Sequence, residues 1–226
     1  MNTPVSVDFP LRGQWFAPNT PGTKIPSHGT DMLGQRYAFD FLGTDPQRED
    51  FRYYRPGLLH YIFKGVRLDE CYGWGRPIFS ATNGKVIQAE DGMAERDPVK
   101  LSTDMAVVRA NAAAFNANQS LDYHVLAGNF IIIEGSEGYA VYAHAKCGSI
   151  RVASGDVVSA GQHLANVGHS GNSTAPHLHF QLMDHPDPWK AGGIFCCFRE
   201  YEVYSKTGWH VVQNGIPKSK ELIRRG

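Results

Sequence analysis

The sequence lacks an excess of charge of either sign. Its 22 lysines and arginines balance 22 aspartates and glutamates, which gives a formal net charge of zero. A chain without a basic surplus is not expected to bind nucleic acid or an anionic membrane surface. The chain also lacks an apolar run of the length that spans a bilayer, so we expect no transmembrane segment.

The N-terminus lacks the features of an export signal. Residues 1–12 contain no basic segment followed by an apolar one, so we predict no signal peptide. The location stays open: cytoplasmic by sequence alone, with export by another route or a mis-assigned start as the alternatives. Cysteines are few and lack the Cys-x-x-Cys spacing of a metal site. We expect free or buried thiols, with a single disulfide left open, at Cys71, Cys147, Cys196 and Cys197.

Turn formers and aromatic residues are abundant. With 24 glycines, 13 prolines and 12% aromatic residues, the composition is typical of short strands joined by turns. We therefore predict a mainly β fold, an antiparallel β-sheet or sandwich with irregular loops. Asn83-Gly84 predicts a hairpin over residues 78–88. A short helix is predicted in the alanine-rich stretch from Asp104 to Asn116.

The length of 226 residues fits a single domain. Prolines in residues 1–26 predict an extended N-terminal arm with at most a short strand. The core is predicted at residues 24–184. Residues 90–128 break the strand rhythm, and we interpret them as an insertion that covers one wall of a cleft. Residues 186–226 are predicted to be a C-terminal appendage with an exposed basic tail.

His177-Leu178-His179 is the most informative short motif. Histidines at i and i+2 of a strand point to the same face, so their imidazoles can converge on one point. A metal site or a proton-transfer site requires such convergence. Residues 180–183 continue the strand alternation, and residues 170–176 form a turn-rich entry. In isolation such a motif is more often a solvated strand face, so its meaning depends on partners elsewhere.

Three other segments supply those partners. His28 lies in a polar loop, and Asp40 lies in an aromatic-rich segment predicted to be a strand. His144 ends the alternating segment 139–144. Histidines and a carboxylate can hold zinc through three ligands and leave the fourth position open, as catalytic zinc sites do. The structural alternatives are that His144 caps its strand and that Asp40 is a core carboxylate with a hydrogen-bond partner.

These residues and several glycine-containing turns resemble the M23 metallopeptidases, the zinc peptidases of the lysostaphin and LytM type. The resemblance covers most of residues 24–184 and implies the mainly β fold of these peptidases. The segments that carry it are His28 with a following Asp, Gly75 to Ala81, Gly84 to Val86, Tyr142 to His144, Val152, Gly155 to Val158, Gly161-Gln162, Gly168 to Gly171 and Pro176 to Phe180.

The first motif departs from the family pattern. The family places its aspartate four residues after the histidine, but Met32 stands at that position and Asp31 is one residue short. Asp40 has the strand context in which the family aspartate normally lies. We therefore prefer Asp40, with the connection from His28 lengthened by a loop, and keep Asp31 as the alternative.

The resemblance implies an endopeptidase with zinc (Zn2+) as its cofactor. The zinc ligands it implies are His28, Asp40 and His179. The catalytic histidines are His144 and His177, which would hold or deprotonate water and stabilise the tetrahedral intermediate. The implied substrates are peptides or peptidoglycan, cleaved at glycyl or D-amino-acid linkages. The family usually acts outside the cell, in conflict with the missing export signal, and a non-catalytic relative that binds a partner or wall peptide is the alternative.

Overall fold

A computed structural model of the chain describes residues 3–116 and 121–226. Its strands, in chain order, are β1 (Val5–Val7), β2 (Gly13–Asn19), β3 (Phe39–Gly43), β4 (Pro77–Phe79), β5 (Gly84–Glu90), β6 (Asn129–Gly135), β7 (Gly138–Ala145), β8 (Val157–Val158), β9 (His163–Asn166), β10 (His177–Met183), β11 (Gly193–Ile194), β12 (Cys196–Ser205), β13 (Gly208–Gly215) and β14 (Leu222–Arg225). Its α-helices are α1 (Leu58–Lys64), α2 (Leu101–Asn116) and α3 (Tyr123–Ala127), and short 3-10 helices span Met32–Tyr37 and Leu68–Glu70.

Most of these strands form one 12-stranded sheet in the order β1–β12–β14–β2–β3–β10–β7–β6–β5–β8, with β11 beside β10 and β13 beside β12. Its strand pairs are antiparallel, except that β1 runs parallel to β12. β4 and β9 form a separate antiparallel pair. The predicted mainly β fold with a short helical insertion is therefore confirmed. In the part of the chain that the structure describes, no helix is both long enough and apolar enough to cross a membrane.

The two faces of the central strands have different roles. Along β10, Leu178 and Phe180 belong to the main apolar core, whereas His177 and His179 point to the opposite face. Asp40 lies between two core phenylalanines of β3 and points the same way as the histidines. Full burial of a Leu or Phe side chain contributes about 1.5–3 kcal/mol. Core packing therefore fixes which residues face the cleft, because a slip of one residue would exchange the two faces.

The described part of the predicted N-terminal arm, residues 3–26, is not an extended arm. They contain β1 and β2, and β2 lies within the large sheet between β14 and β3. Trp15 of β2 is 0% exposed. The prolines that suggested an arm fit this arrangement, because Pro10 lies between the two strands and Pro18 lies where the register between β2 and β3 shifts.

Residues 186–226 join the same sheet. β14 pairs with both β12 and β2, and its Leu222 and Ile223 are buried. The basic tail that was predicted to be exposed is therefore in large part a sheet strand. Its charge is accommodated at the surface, where Arg224 Nε lies 2.7 Å from Glu202 Oε2. The pairing of the two chain ends is non-local, so no local pattern predicted it.

The prediction of a hairpin over residues 78–88 is wrong. β4 pairs with β9, whereas β5 pairs with β6 and β8. The connection between β4 and β5 is held by other segments, since Ser80 N–H donates to Gln162 O and Ala81 N–H donates to Tyr142 Oη. The Asn-Gly turn therefore joins two different sheets and does not pair its own flanks.

Trp15→Ala distinguishes a core strand from an extended arm. We expect it to lower the free energy of unfolding by about 3–5 kcal/mol, because it leaves a large cavity in the core. Urea unfolding followed by circular dichroism measures the change. Phe63→Ala is the control, because its side chain is 74% exposed, and it should change stability by less than about 0.5 kcal/mol. A Trp15 variant as stable as this control would contradict the position of β2.

Candidate metal centre

Four adjacent strands build the floor of the site. In the sheet register, Asn19 of β2 lies opposite Asp40 of β3, and Asp40 lies opposite His179 of β10. His179 lies opposite Ala143 of β7. Side chains that lie opposite each other in an antiparallel pair have Cβ atoms about 4.5–5.5 Å apart. Strand pairing therefore brings Asp40 and His179 together although 139 positions separate them in the chain.

The carboxylate of Asp40 lies at the centre of the cluster. Its Oδ1 lies 2.9 Å from His179 Nδ1 and 3.5 Å from His177 Nε2. Its Oδ2 lies 2.9 Å from His28 Nε2 and accepts a hydrogen bond from Asn19 Nδ2 at 2.8 Å. A carboxylate that is only 8% exposed requires partners of this kind, because an unpaired buried charge is costly.

His28 comes from the loop between β2 and β3. The loop is tied down because Ser27 N–H donates to Arg36 O at 3.0 Å. The His28 ring is oriented by Ser27 Oγ, which lies 3.1 Å from its Nδ1 and can accept the Nδ1 proton. His28 Nε2 faces Asp40 Oδ2 at 2.9 Å and is the nitrogen available to a metal ion.

Gln181 sets the tautomer of His179. Gln181 Nε2–H donates to Leu33 O at 2.7 Å, which directs the amide oxygen to His179 Nε2 at 2.9 Å. That oxygen only accepts, so His179 Nε2 carries a proton, and Nδ1, which faces Asp40, is the nitrogen available to a metal ion. Leu33 has a left-handed backbone with φ of 58°, which costs about 1–2 kcal/mol. Hydrogen bonds of this kind fix the orientation of metal-ligating histidines.

His144 and His177 lie next to each other, with ring centroids 4.7 Å apart. His144 has a φ of 62° where the register between β6 and β7 shifts, and this bulge turns its side chain into the cleft. Its Nδ1–H donates to Ser170 O at 2.9 Å, and His177 Nδ1–H donates to Ala175 O at 2.7 Å. Carbonyl oxygens only accept, so Nδ1 carries a proton in both rings and Nε2 is the nitrogen that faces the cleft.

The charges of the cluster are strongly coupled. Burial alone would raise the pKa of Asp40, but His28 and His177 outweigh burial and hold this pKa well below its usual range. Burial, with His177 and His179 nearby, holds the pKa of His144 well below its usual value. Burial opposes the charged form of His177, but Asp40 outweighs it and raises the pKa of His177. Near pH 7, Asp40 is therefore an anion and His144 is a neutral base.

The donor atoms of His28, Asp40 and His179 fit a metal ion. They all lie within 4.8 Å of one another, and each histidine turns one ring nitrogen toward the carboxylate. Two imidazoles and one carboxylate form a typical zinc ligand set, and three protein ligands leave a fourth position open. The structure thus brings together all five residues that were predicted for the site, with His144 and His177 beside the donor set.

Asp31, the alternative ligand, lies outside this cluster. It is exposed, and its Oδ1 lies 2.5 Å from the Nη1 of Arg36. An ion pair at the surface satisfies this carboxylate without a metal. The geometry therefore favours Asp40 over Asp31 as a donor.

A cavity of about 540 Å³ opens over the cluster. One wall is α2, which lies within the segment interpreted as an insertion and contributes Val108, Asn111 and Phe115. Their spacing places these side chains on one face of the helix. Phe115 stacks on Trp189 with ring centroids 5.8 Å apart, which holds the end of α2 over the sheet.

Sequence reasoning missed the residues that orient the donors, namely Asn19, Ser27 and Gln181. Gln181 follows His179 by two positions on the same strand face, so the longer pattern His-x-His-x-Gln could have indicated it. Asn19 and Ser27 carry no comparable signal. Asn19 reaches Asp40 through the pairing of β2 with β3, and Ser27 lies in an irregular loop.

Comparison with known families supports the same region. The model of Peptidase family M23 matches residues 92–190, which include His144, His177 and His179 but not the two donors nearer the N-terminus. The resemblance to the M23 metallopeptidases predicted from the motifs is confirmed. M23 is a zinc metallopeptidase family, and the donor set fits zinc, so the predicted cofactor Zn2+ is also confirmed.

Individual relatives resemble parts of the chain. Over 61 residues, 26% of this chain, the sequence is 39% identical to the peptidoglycan DD-endopeptidase ShyB of Vibrio cholerae. A zinc containing peptidase from Vibrio cholerae resembles 78% of this chain with 20% identity and a TM-score of 0.39. The catalytic domain of lysostaphin from Staphylococcus simulans resembles 80% of this chain, over 88% of its own length, with 18% identity and a TM-score of 0.39. The matches cover only 14% of ShyB and 36% of the Vibrio cholerae structure.

Asp40→Ala and Asp31→Ala test the choice of carboxylate ligand. We expect Asp40→Ala to abolish zinc retention, because it removes one of three donors and leaves two imidazoles. Asp31→Ala is the matched control and should retain zinc at the level of the unaltered protein. Elemental analysis after dialysis against metal-free buffer measures zinc per chain. Loss of zinc in the Asp31 variant alone would overturn the assignment.

Proposed function

We propose that this protein is a zinc-dependent endopeptidase that hydrolyses peptide bonds in peptidoglycan cross-links or stem peptides. The observation that carries the proposal is the position of His144 and His177. Both turn Nε2 toward the His-Asp-His donor set, at the base of a cleft large enough for a peptide segment. The M23 family match supports a peptidase role.

Amide hydrolysis requires an activated water, a polarised carbonyl group and a protonated leaving amine. His28, Asp40 and His179 would hold the zinc ion. When bound, zinc supplies Lewis acidity that polarises the carbonyl group and lowers the pKa of water. Ser27 and Gln181 contact the other ring nitrogen of each histidine, so His28 Nε2 and His179 Nδ1 are the nitrogens that would bind the ion.

His144 and His177 would carry the proton. One imidazole Nε2 accepts a proton from the attacking water as the oxygen bonds to the carbonyl carbon. The same proton passes to the leaving nitrogen as the C–N bond breaks, which returns the imidazole to its neutral form. The other ring, 4.7 Å away, donates to the developing oxyanion when it is protonated. Proton transfer of this kind typically contributes about 10²–10⁴-fold in rate.

The residues that line the cleft favour peptide substrates with uncharged side chains. Among the described residues that line it, Asp40 is the only carboxylate, and lysine and arginine do not occur. The α2 wall is apolar at Val108, Ala112 and Phe115. A charged side chain placed against this wall would lose its water without gaining a partner. Glycyl and small D-amino-acid linkages meet this requirement.

His144→Ala and His177→Ala test the proposed roles. We expect each to retain one zinc per chain but to lose at least about 100-fold in activity, because each removes a proton carrier and no ligand. Activity is followed as new amino termini released from purified peptidoglycan, oligoglycine and D-alanyl peptides. His163→Ala is the matched control, since this histidine lies on β9 and bonds Ala165 O outside the site.

The same experiment separates the enzyme from a non-catalytic binding protein. Removal of zinc with a chelator should abolish cleavage by the unaltered protein, and added zinc should restore it. A zinc-loaded protein that binds peptidoglycan but cleaves none of these substrates would refute the peptidase and favour a scaffold.

A further inference from the structure

The α2 segment reaches the site through a buried chain of polar groups. Asp104, in the first turn of α2, is 0% exposed, as are His169 and Ser173 in the loop before β10. A buried carboxylate or imidazole is costly unless it is paired. The proposed chemistry does not use these three groups directly, so their burial beside the site requires a separate explanation.

Asp104 is held as an anion. Arg96 Nε–H donates to its Oδ1 at 2.7 Å, and Lys100 N–H donates to its Oδ2 at 2.9 Å. Burial opposes ionisation, but hydrogen bonds from His169 and Arg96 outweigh burial and lower the pKa of Asp104. A negative charge is therefore fixed at the base of α2.

A series of short polar contacts connects Asp104 with His177. His169 Nε2 lies 3.2 Å from Asp104 Oδ1, and a carboxylate only accepts, so Nε2 carries the proton. The Nδ1 of His169 lies 2.9 Å from Ser173 Oγ. Ser173 Oγ–H donates to Ala175 O at 2.7 Å, and the same oxygen lies 3.1 Å from His177 Nδ1, whose proton it shares with Ala175 O. Contacts within hydrogen-bond distance thus connect Asp104 to His177 through His169 and Ser173.

We infer that Asp104, His169 and Ser173 are positioning residues for His177. The inference rests on the proposed peptidase function, in which His177 holds a proton during the reaction. The chain fixes the ring so that Nε2 faces the cleft. The logic is that of a serine protease triad, extended by a hydroxyl and a second imidazole. No proton has to move along the chain.

A purely structural role is the competing explanation. Arg96 Nη1–H donates to Gly171 O at 2.9 Å and Arg96 Nη2–H donates to Ser173 O at 2.6 Å, so the same cluster also fastens α2 to the loop. The packing there is close, since a Cβ on Gly171 would lie 2.3 Å from Gly128 N. The test must therefore separate the orientation of His177 from the attachment of α2.

Ser173→Ala makes this separation. It removes the hydroxyl link but leaves the Arg96–Asp104 pair and the backbone carbonyl of residue 173 in place. We expect kcat to fall about 10–100-fold, as for other residues that orient an active-site group, with KM, zinc content and melting temperature unchanged. Ser80→Ala is the matched control, because this serine is also 0% exposed and donates to Thr82 O far from the cleft.

A double mutant sharpens the kinetic test. In a His177→Ala background, Ser173→Ala should cause no further loss, because both changes act through the same imidazole. If Ser173 served only to attach α2 to the loop, Ser173→Ala would lower activity in both backgrounds. Equal loss in both backgrounds, a rise in KM alone, or an unchanged kcat in the single variant would overturn the inference.

Nuclear magnetic resonance tests the contacts from Asp104 to His177 without a measurement of activity. Failure of this inference can therefore be distinguished from failure of the proposed function. In the zinc-loaded protein, Asp104→Asn should shift the Nδ1 proton resonance of His177, although two side chains lie between them. In a Ser173→Ala background, the same substitution should leave that resonance in place. If Asp104→Asn leaves the His177 resonance unshifted in the otherwise unaltered protein, the inference is wrong even if the protein is a peptidase.

Discussion

The pairing of β3 with β10 sets the carboxylate of Asp40 against the imidazole of His179, and the remainder of the site depends on this contact. The register is fixed from the other face of the sheet, where Phe39 and Phe180 pack in the core. A slip of one residue would bury imidazoles among aromatic rings and expose phenylalanine in the cleft. Apolar packing on one face therefore determines the donor set on the other.

The strands place the donors, but irregular segments determine how each imidazole is used. A loop delivers His28 with its Nδ1 on Ser27, and a bulge turns His144 into the cleft. The segment that contains α2 supplies the apolar wall and the buried anion that we connect to His177. Rigid sheet geometry and adaptable loops thus have separate tasks, as is common where a scaffold carries a chemical site.

The sequence predicted what local periodicity determines. The His-x-His motif and the aromatic flanks of Asp40 identify strand faces, and a period of two then puts their side chains together. The position of β14 beside β2 and the pairing of β4 with β9 depend on contacts between distant segments. Proline content and an Asn-Gly turn are local signals, so the predictions of an N-terminal arm and of a hairpin drawn from them were wrong. The same holds for the buried chain of Asp104. Its members look like unrelated polar residues until α2 is packed on the loop before β10.

A crystal structure of the zinc-loaded protein tests the central claim most directly. We expect one zinc ion bound by His28 Nε2, an oxygen of Asp40 and His179 Nδ1 at about 2.0–2.2 Å. The Nε2 atoms of His144 and His177 should face the open coordination position from beyond bonding distance. A zinc ion that takes His144 or His177 as a ligand in place of one of the three would contradict the division between metal-holding and proton-carrying residues.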